Sequence, residues 1–242
     1  VSHRLDEIFE IADRVTVLRD GTLISTHEIH ELDKNKLIKL MVGRELADTY
    51  PHRSGKPGDE NILEVRNLTG NGVRDISFDL KRGEILGFGG LIGAGRTELA
   101  QLLFGVYRAK SGEIRVNGAT LKPKNPAHAV RSGIALVPED RKQQGVCLHM
   151  SVRENITLPG LERISHLSVI DRRREAKLVE DYKDAIRIKT PSLDQLVKNL
   201  SGGNQQKVVL AKWLTLDPEI LIFDEPTRGI DVGARYEIYQ LM

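Results

Sequence analysis

Hydrophobic positions near the start of the chain recur first at helical and then at strand spacing. Leu5, Ile8, Phe9 and Ala12 fall on one face of a short helix, preceded by Val1-Ser2-His3, which reads as the end of a strand. Residues 14–18 and 22–25 flank Asp20-Gly21, the pairing expected of a hairpin turn. Ile29, Leu32, Leu37, Leu40 and Met41 then supply one face of a second helix. That is too little apolar surface for an independent core, so this stretch should pack against something larger. Residues 48–61 carry charge, Gly and Pro with hardly an apolar side chain, and read as a linker.

The pattern changes beyond the linker. Residues 62–68 and 74–80 are strand-like, with Ile76, Phe78 and Leu80 alternating against polar neighbours, and Gly70-Asn71-Gly72 turns between them. A third strand is expected at 84–88, leading through glycines into a helix whose apolar face is Leu99, Leu102, Leu103 and Val106. Residues 112–116 with Asn117-Gly118 read as a strand and turn, and 133–138 as a short buried strand. Charged, helix-forming sequence follows, in which Leu178, Tyr182, Ala185 and Ile186 share a face. The helix after 200–206 offers Val209, Leu210, Trp213 and Leu214, and 220–223 is a last apolar run.

Three places in this pattern carry chemistry. Gly90-x-x-Gly93-Ala94-Gly95-Arg96-Thr97 fits a phosphate-binding loop, except that arginine stands where lysine is expected. Glycines let such a loop aim several amides at one point, and the helix that follows adds its positive end. Thr97 would be the hydroxyl ligand of a magnesium ion, and Arg96 would do the work of a lysine with a broader, planar cation. Ser201-Gly202-Gly203 is a capped helix start and a second place suited to phosphate. Asp224 and Glu225 end the apolar run; Asp224 is placed to hold magnesium and Glu225 to orient or activate an attacking water.

Composition narrows the partners. A net charge of +2, from 36 basic and 34 acidic residues, together with 5% aromatic residues, gives neither the field nor the stacking platforms that nucleic acid requires. Arg172-Arg173-Arg174 is followed by Glu175, Glu180 and Asp181 and reads as a solvated helix start. The single cysteine, Cys147, excludes an intrachain disulfide and reads as a small buried apolar residue. No run approaches the roughly 18 consecutive apolar residues of a membrane span.

Taken together, GGLIGAGRT, LSGGNQQ and ILIFDE resemble the ATP-binding-cassette family, and Gly229-Ile230-Asp231 resembles its loop facing the opposite cassette. The wording GRTE, VPEDRK, SGGNQQKV and DEPTRGIDVGA is similar to the second cassette of the tandem ATPases that energise bacterial ribose, xylose and galactose import. The resemblance implies an α/β P-loop NTPase fold with a mixed central sheet, an antiparallel edge layer and a helical subdomain at about 141–215, its C-terminal part truncated. It implies that 1–47 is the remnant of a first cassette with His3 as switch histidine, 48–61 a linker, and 62–242 an incomplete second cassette. Residues 1–43 would then pack as if the domain had been permuted, or exchange with a neighbouring chain.

The resemblance also assigns roles. ATP and Mg2+ would be bound by Gly90, Gly93, Ala94, Gly95, Arg96 and Thr97, with Thr97, Asp224 and Glu139 at the metal and Glu225 and His3 catalytic. Ser201, Gly202 and Gly203 would complete the site of an opposite cassette, in the same polypeptide or in a homodimer. Glu139 stands where most cassettes carry glutamine, and residues 69–73 offer no aromatic ring for adenine. The implied partners are membrane permease subunits and, indirectly, a periplasmic sugar-binding protein, with the chain peripheral at the cytoplasmic face of the bacterial inner membrane. Two other readings are a non-hydrolysing nucleotide-binding regulatory or dimerisation module and a soluble cassette ATPase acting on nucleic acid. The latter would need zinc-binding cysteines or a basic arm, and neither is present.

Overall fold

The computed structural model describes residues 5–19, 21–43, 55–167 and 169–242. His3, the strand end at 1–3, Asp20 of the hairpin turn and much of the 48–61 linker lie outside them. The described part of the linker, 55–60, is exposed and without regular structure, as its composition predicts.

The chain opens with α1 (Leu5–Ile11), β1 (Arg14–Arg19), β2 (Thr22–Glu28) and α2 (Lys34–Val42). β1 and β2 pair antiparallel as the expected hairpin, and Gly21 in its turn has φ 77°. Asp33 caps α2 by accepting from the Lys36 amide at 2.7 Å, and Gly43 ends it in the left-handed conformation. Leu5, Val17, Leu32 and Leu37 are buried together, with Ile8, Phe9 and Met41 packed around them.

β3 (Asn61–Gly70) and β4 (Val73–Lys81) follow, then α3 (Arg96–Leu103), β5 (Ser111–Val116), β6 (Ala119–Leu121), α4 (Pro126–Arg131) and β7 (Ile134–Val137). The charged stretch forms α5 (Val152–Thr157), a two-residue pair β8 (Ser165–His166) and β9 (Val169–Ile170), and α6 (Arg172–Ile186). Then come α7 (Gly202–Leu214), β10 (Ile220–Phe223) and α8 (Val232–Leu241). The packing makes two compact units, residues 54–228 and residues 1–53 with 229–242. In the smaller unit α8, capped by Asp231, lies against α2.

The larger unit is a mixed α/β body. β4-β3-β5-β6 is an antiparallel layer, and β10 pairs with β7 in parallel. β5 approaches β3 so closely at Gly112 that a Cβ there would lie 2.6 Å from the Leu68 Cα. Leu63, Val65, Leu68 and Ile114 of the layer share one core with Leu99 and Leu102 of α3, Ala129 of α4, and Ile134 and Ile220 of the parallel pair. Burial of this apolar surface holds the layers together.

Some readings of the sequence need correction: Val106, expected on the apolar face of α3, lies beyond its end at Leu103 and is exposed. Residues 84–88 form no strand, because the described strands offer this segment no ladder partner; Ile85 and Phe88 are left 55% and 46% exposed. The buried stripe of α6 runs through Glu175, Val179 and Ile186, while Ala185 is exposed. Glu175 could not be recognised as an inward position from hydropathy; it is admitted because Arg172, at 2.9 Å, and the Thr157 hydroxyl, at 3.3 Å, satisfy its carboxylate. Cys147 is exposed rather than buried. Its backbone is held instead, its amide donating to Asn155 Oδ1 at 2.7 Å and its carbonyl accepting from Asn155 Nδ2 at 3.0 Å.

Candidate functional site

The glycine loop and the end of β10 meet within the larger unit. Gly93 and Gly95 have φ of 82° and 91°, a backbone region costly for any residue with a Cβ. At Gly90 a Cβ would stand 2.8 Å from that of Ala94, whose amide closes the turn onto the Leu91 carbonyl at 3.0 Å. α3 starts directly on this turn with Gly95 at its N-cap, so no side chain covers the helix end. The amides of the first turn have no intrahelical acceptor and face the loop with the positive end of the helix dipole. This is a cradle for an anion.

β10 delivers the carboxylates. The Asp224 amide donates to the Val137 carbonyl at 2.9 Å, extending the parallel pairing by one residue. Its side chain is buried, and burial raises its pKa above the ordinary 3.8; a hydrogen bond from the Thr97 hydroxyl acts against that rise. Glu225 follows with φ 44°, a left-handed conformation that breaks strand alternation. Its Oε1 accepts from Arg96 Nη2 at 3.2 Å. Adjacent acids therefore differ in setting: Asp224 is buried, and Glu225 is partly exposed and paired with a guanidinium.

Glu139 lies just past β7 and forms an ion pair with Arg228. Arg228 is itself tied to the site, its amide donating to the Glu225 carbonyl at 3.0 Å and its carbonyl accepting from Arg141 Nη1 at 2.7 Å. Ser201 is the N-cap of α7, its Oγ accepting from the Asn204 amide and, at 3.0 Å, from Asn204 Nδ2; Gly202 and Gly203 form the first turn.

Among the described residues no group of three or more His, Cys, Asp or Glu is set to hold a metal by itself. The donors that do converge, the Thr97 hydroxyl and the Asp224 carboxylate, are hard oxygen ligands. They fit Mg2+, which keeps several waters and shares its shell with phosphate oxygens. Sequence reasoning placed Thr97 beside Asp224 but missed the Arg96–Glu225 and Arg228–Glu139 pairs. The arginine in a lysine position was the available signal for the first; nothing in the spacing announced the second.

An antiparallel layer joined to a parallel strand pair, with a glycine loop opening a helix beside two strand-end carboxylates, defines a P-loop NTPase fold. The chain belongs to the ABC transporter family, whose family model matches residues 73–228. It is 52% identical over 244 residues to the ribose import ATP-binding protein RbsA of Clostridium perfringens, covering 100% of this chain and 48% of that protein. It is 51% identical over 251 residues to the xylose import ATP-binding protein XylG of Thermoanaerobacter pseudethanolicus, covering 100% and 50%. The chain thus spans about half the length of these relatives.

Solved structures agree on the fold. A nucleotide-free ATP-binding cassette from an ABC transporter superposes with a TM-score of 0.64 at 20% identity, over 75% of this chain and 76% of that one. A dimeric post-hydrolysis cassette bound to ADP and phosphate gives 0.63 at 19% identity, over 74% and 80%. No helix among the described residues is long and apolar enough to cross a membrane.

Proposed function

We propose that this chain is the ATP-binding part of a bacterial carbohydrate importer and that it couples ATP hydrolysis to the movement of a membrane permease. The observation that carries the reading is the meeting of the glycine loop with β10, where Arg96 at the start of α3 hydrogen-bonds Glu225 beside the buried Asp224. Its relatives named as ribose and xylose import proteins support the sugar-import assignment.

In this reading Gly90, Gly93, Ala94, Gly95 and Arg96 receive the terminal phosphates of ATP, and Thr97 and Asp224 hold Mg2+. The metal neutralises charge on the phosphate oxygens when bound. Glu225 accepts the proton of the water that attacks the terminal phosphorus, while the bond to the bridging oxygen breaks and ADP leaves. Ser201, Gly202 and Gly203 serve the phosphates of an opposite cassette, in the same polypeptide or a second copy. Glu139, committed to Arg228, reaches a metal only by leaving that partner.

The domain reading is part of the proposal: 1–47 as the end of a first cassette with His3 as switch, 48–61 as linker and 62–242 as the second cassette, with its helical subdomain at 141–215. The packing of α2 against α8 joins the amino-terminal segment to the end of the chain in one compact unit, which is compatible with this reading. The partners are permease subunits at the cytoplasmic face of the inner membrane and, through them, a periplasmic sugar-binding protein. A non-hydrolysing nucleotide module is the second reading, favoured by one observation: Glu225 and Glu139 are both engaged by arginines.

Steady-state phosphate release with Mg-ATP separates the two. Hydrolysis by the chain that falls at least about 100-fold in Glu225→Gln supports the ATPase. Binding without turnover in the chain, in Arg96→Lys and in the chain assembled with its permease supports the module.

A further inference from the structure

We propose that Arg96 is an exchangeable latch on Glu225: it holds the carboxylate until a nucleotide phosphate draws it away. The inference rests on the nucleotide reading of the loop and adds a regulatory role within it. Arg96 is the first residue of α3, on the turn where phosphate would be received, yet its guanidinium reaches out to Glu225 Oε1 at 3.2 Å. The two side chains are 33% and 44% exposed, so the contact is not locked in by packing and either partner can let go.

Arginine suits this task better than lysine. Its charge is permanent, and its planar fork matches a carboxylate and a phosphate equally well. Glu225 is presented to it by its left-handed backbone, φ 44°, which the amide of Arg228 helps hold through the Glu225 carbonyl. Asp224 is differently placed: it is buried and its amide is held by the Val137 carbonyl, so it keeps its position while Glu225 and Arg96 exchange. The latch therefore keeps Glu225 occupied until the phosphates compete for Arg96, and nucleotide binding is weakened by the energy of breaking the pair.

A double-mutant cycle on the full chain tests this with AMP-PNP and magnesium as the probe, titrated calorimetrically against wild type, Arg96→Gln, Glu225→Gln and the double variant. Removing a carboxylate near phosphates tightens binding in any background by relieving repulsion. Only a latch adds a further gain that needs Arg96. The expected result is a tightening by Glu225→Gln that is roughly 2- to 5-fold larger with Arg96 present than in the Arg96→Gln background, the range set by half-exposed ion pairs. Equal ratios in the two backgrounds overturn the latch and leave the nucleotide site standing. Absence of AMP-PNP binding in all four forms, each with wild-type circular dichroism, overturns the nucleotide reading and the latch together.

Discussion

The larger unit has two helices whose sequence marks their first turns as phosphate receivers, and they leave those turns in opposite conditions. α7 begins at Ser201, whose Oγ accepts from the Asn204 amide, and behind that cap the helix is buried almost continuously from Gln205 to Ala211. α3 begins at Gly95 with no side-chain cap, on a loop whose tip residues Leu91 and Ile92 are exposed. α7 thus has one of its first-turn donors met by its own cap. α3 keeps unmet donors that only water or an anion can satisfy. A helix start that is poorly finished as structure is the better receptor, and its neighbours bear the instability.

The contrast predicts where stability and binding separate. Leu210, 1% exposed inside α7, should cost about 2–5 kcal/mol when changed to Ala, measured by denaturant unfolding, because the cavity cannot be filled from outside. A loss below about 1 kcal/mol would mean that the buried face of α7 repacks around the missing side chain. Ser201→Ala should cost less, about 1 kcal/mol, as loss of an N-cap. The same variant frees the Asn204 amide, so far-UV melting of the helix should move while the P-loop's affinity for nucleotide in an isolated chain stays unchanged. A stability equal to wild type would show that water caps α7 as well as Ser201 does.

These differences were unequally legible in the sequence. Ser201 as a cap, the burial of 134–137 and the nearness of Thr97 to Asp224 follow from local rules: a hydroxyl before a helix, an apolar run between turns, a glycine loop paired with a strand-end acid. Residues 84–88 carry the same apolar signal as 134–137, but β7 has β10 beside it and 84–88 has no described strand. Strand identity is decided by neighbours, which a single-segment pattern does not contain. Side-chain choices were hidden for a related reason. Nothing in the run Asp224-Glu225 says that one acid will turn inward and be buried and the other outward to Arg96; the left-handed φ at Glu225 makes that division. α6 adds a third case, where Glu175 is buried because Arg172 and Thr157 meet it, an arrangement invisible to hydropathy.

The smallest effect is expected at the buried carboxylate beside the glycine loop. Burial raises the Asp224 pKa above 3.8, so the folded chain binds this proton more tightly than the unfolded chain does. Stability linked to that proton is fully present below 3.8 and is lost as pH rises through the raised folded value. At neutral pH the charged, desolvated Asp224 is therefore a net burden in the absence of metal, as expected of a group kept for function. Asn keeps an oxygen for the Thr97 hydroxyl but carries no charge. Asp224→Asn should accordingly be more stable than wild type at neutral pH, with the advantage shrinking toward zero as the pH falls below 3.8. Denaturant midpoints of both forms across that range, with a chelator present, measure the difference. Parallel curves would show that the charge costs nothing at this position; a gap that widens toward acid would reverse the sign and put Asp224 among the groups that stabilise the fold.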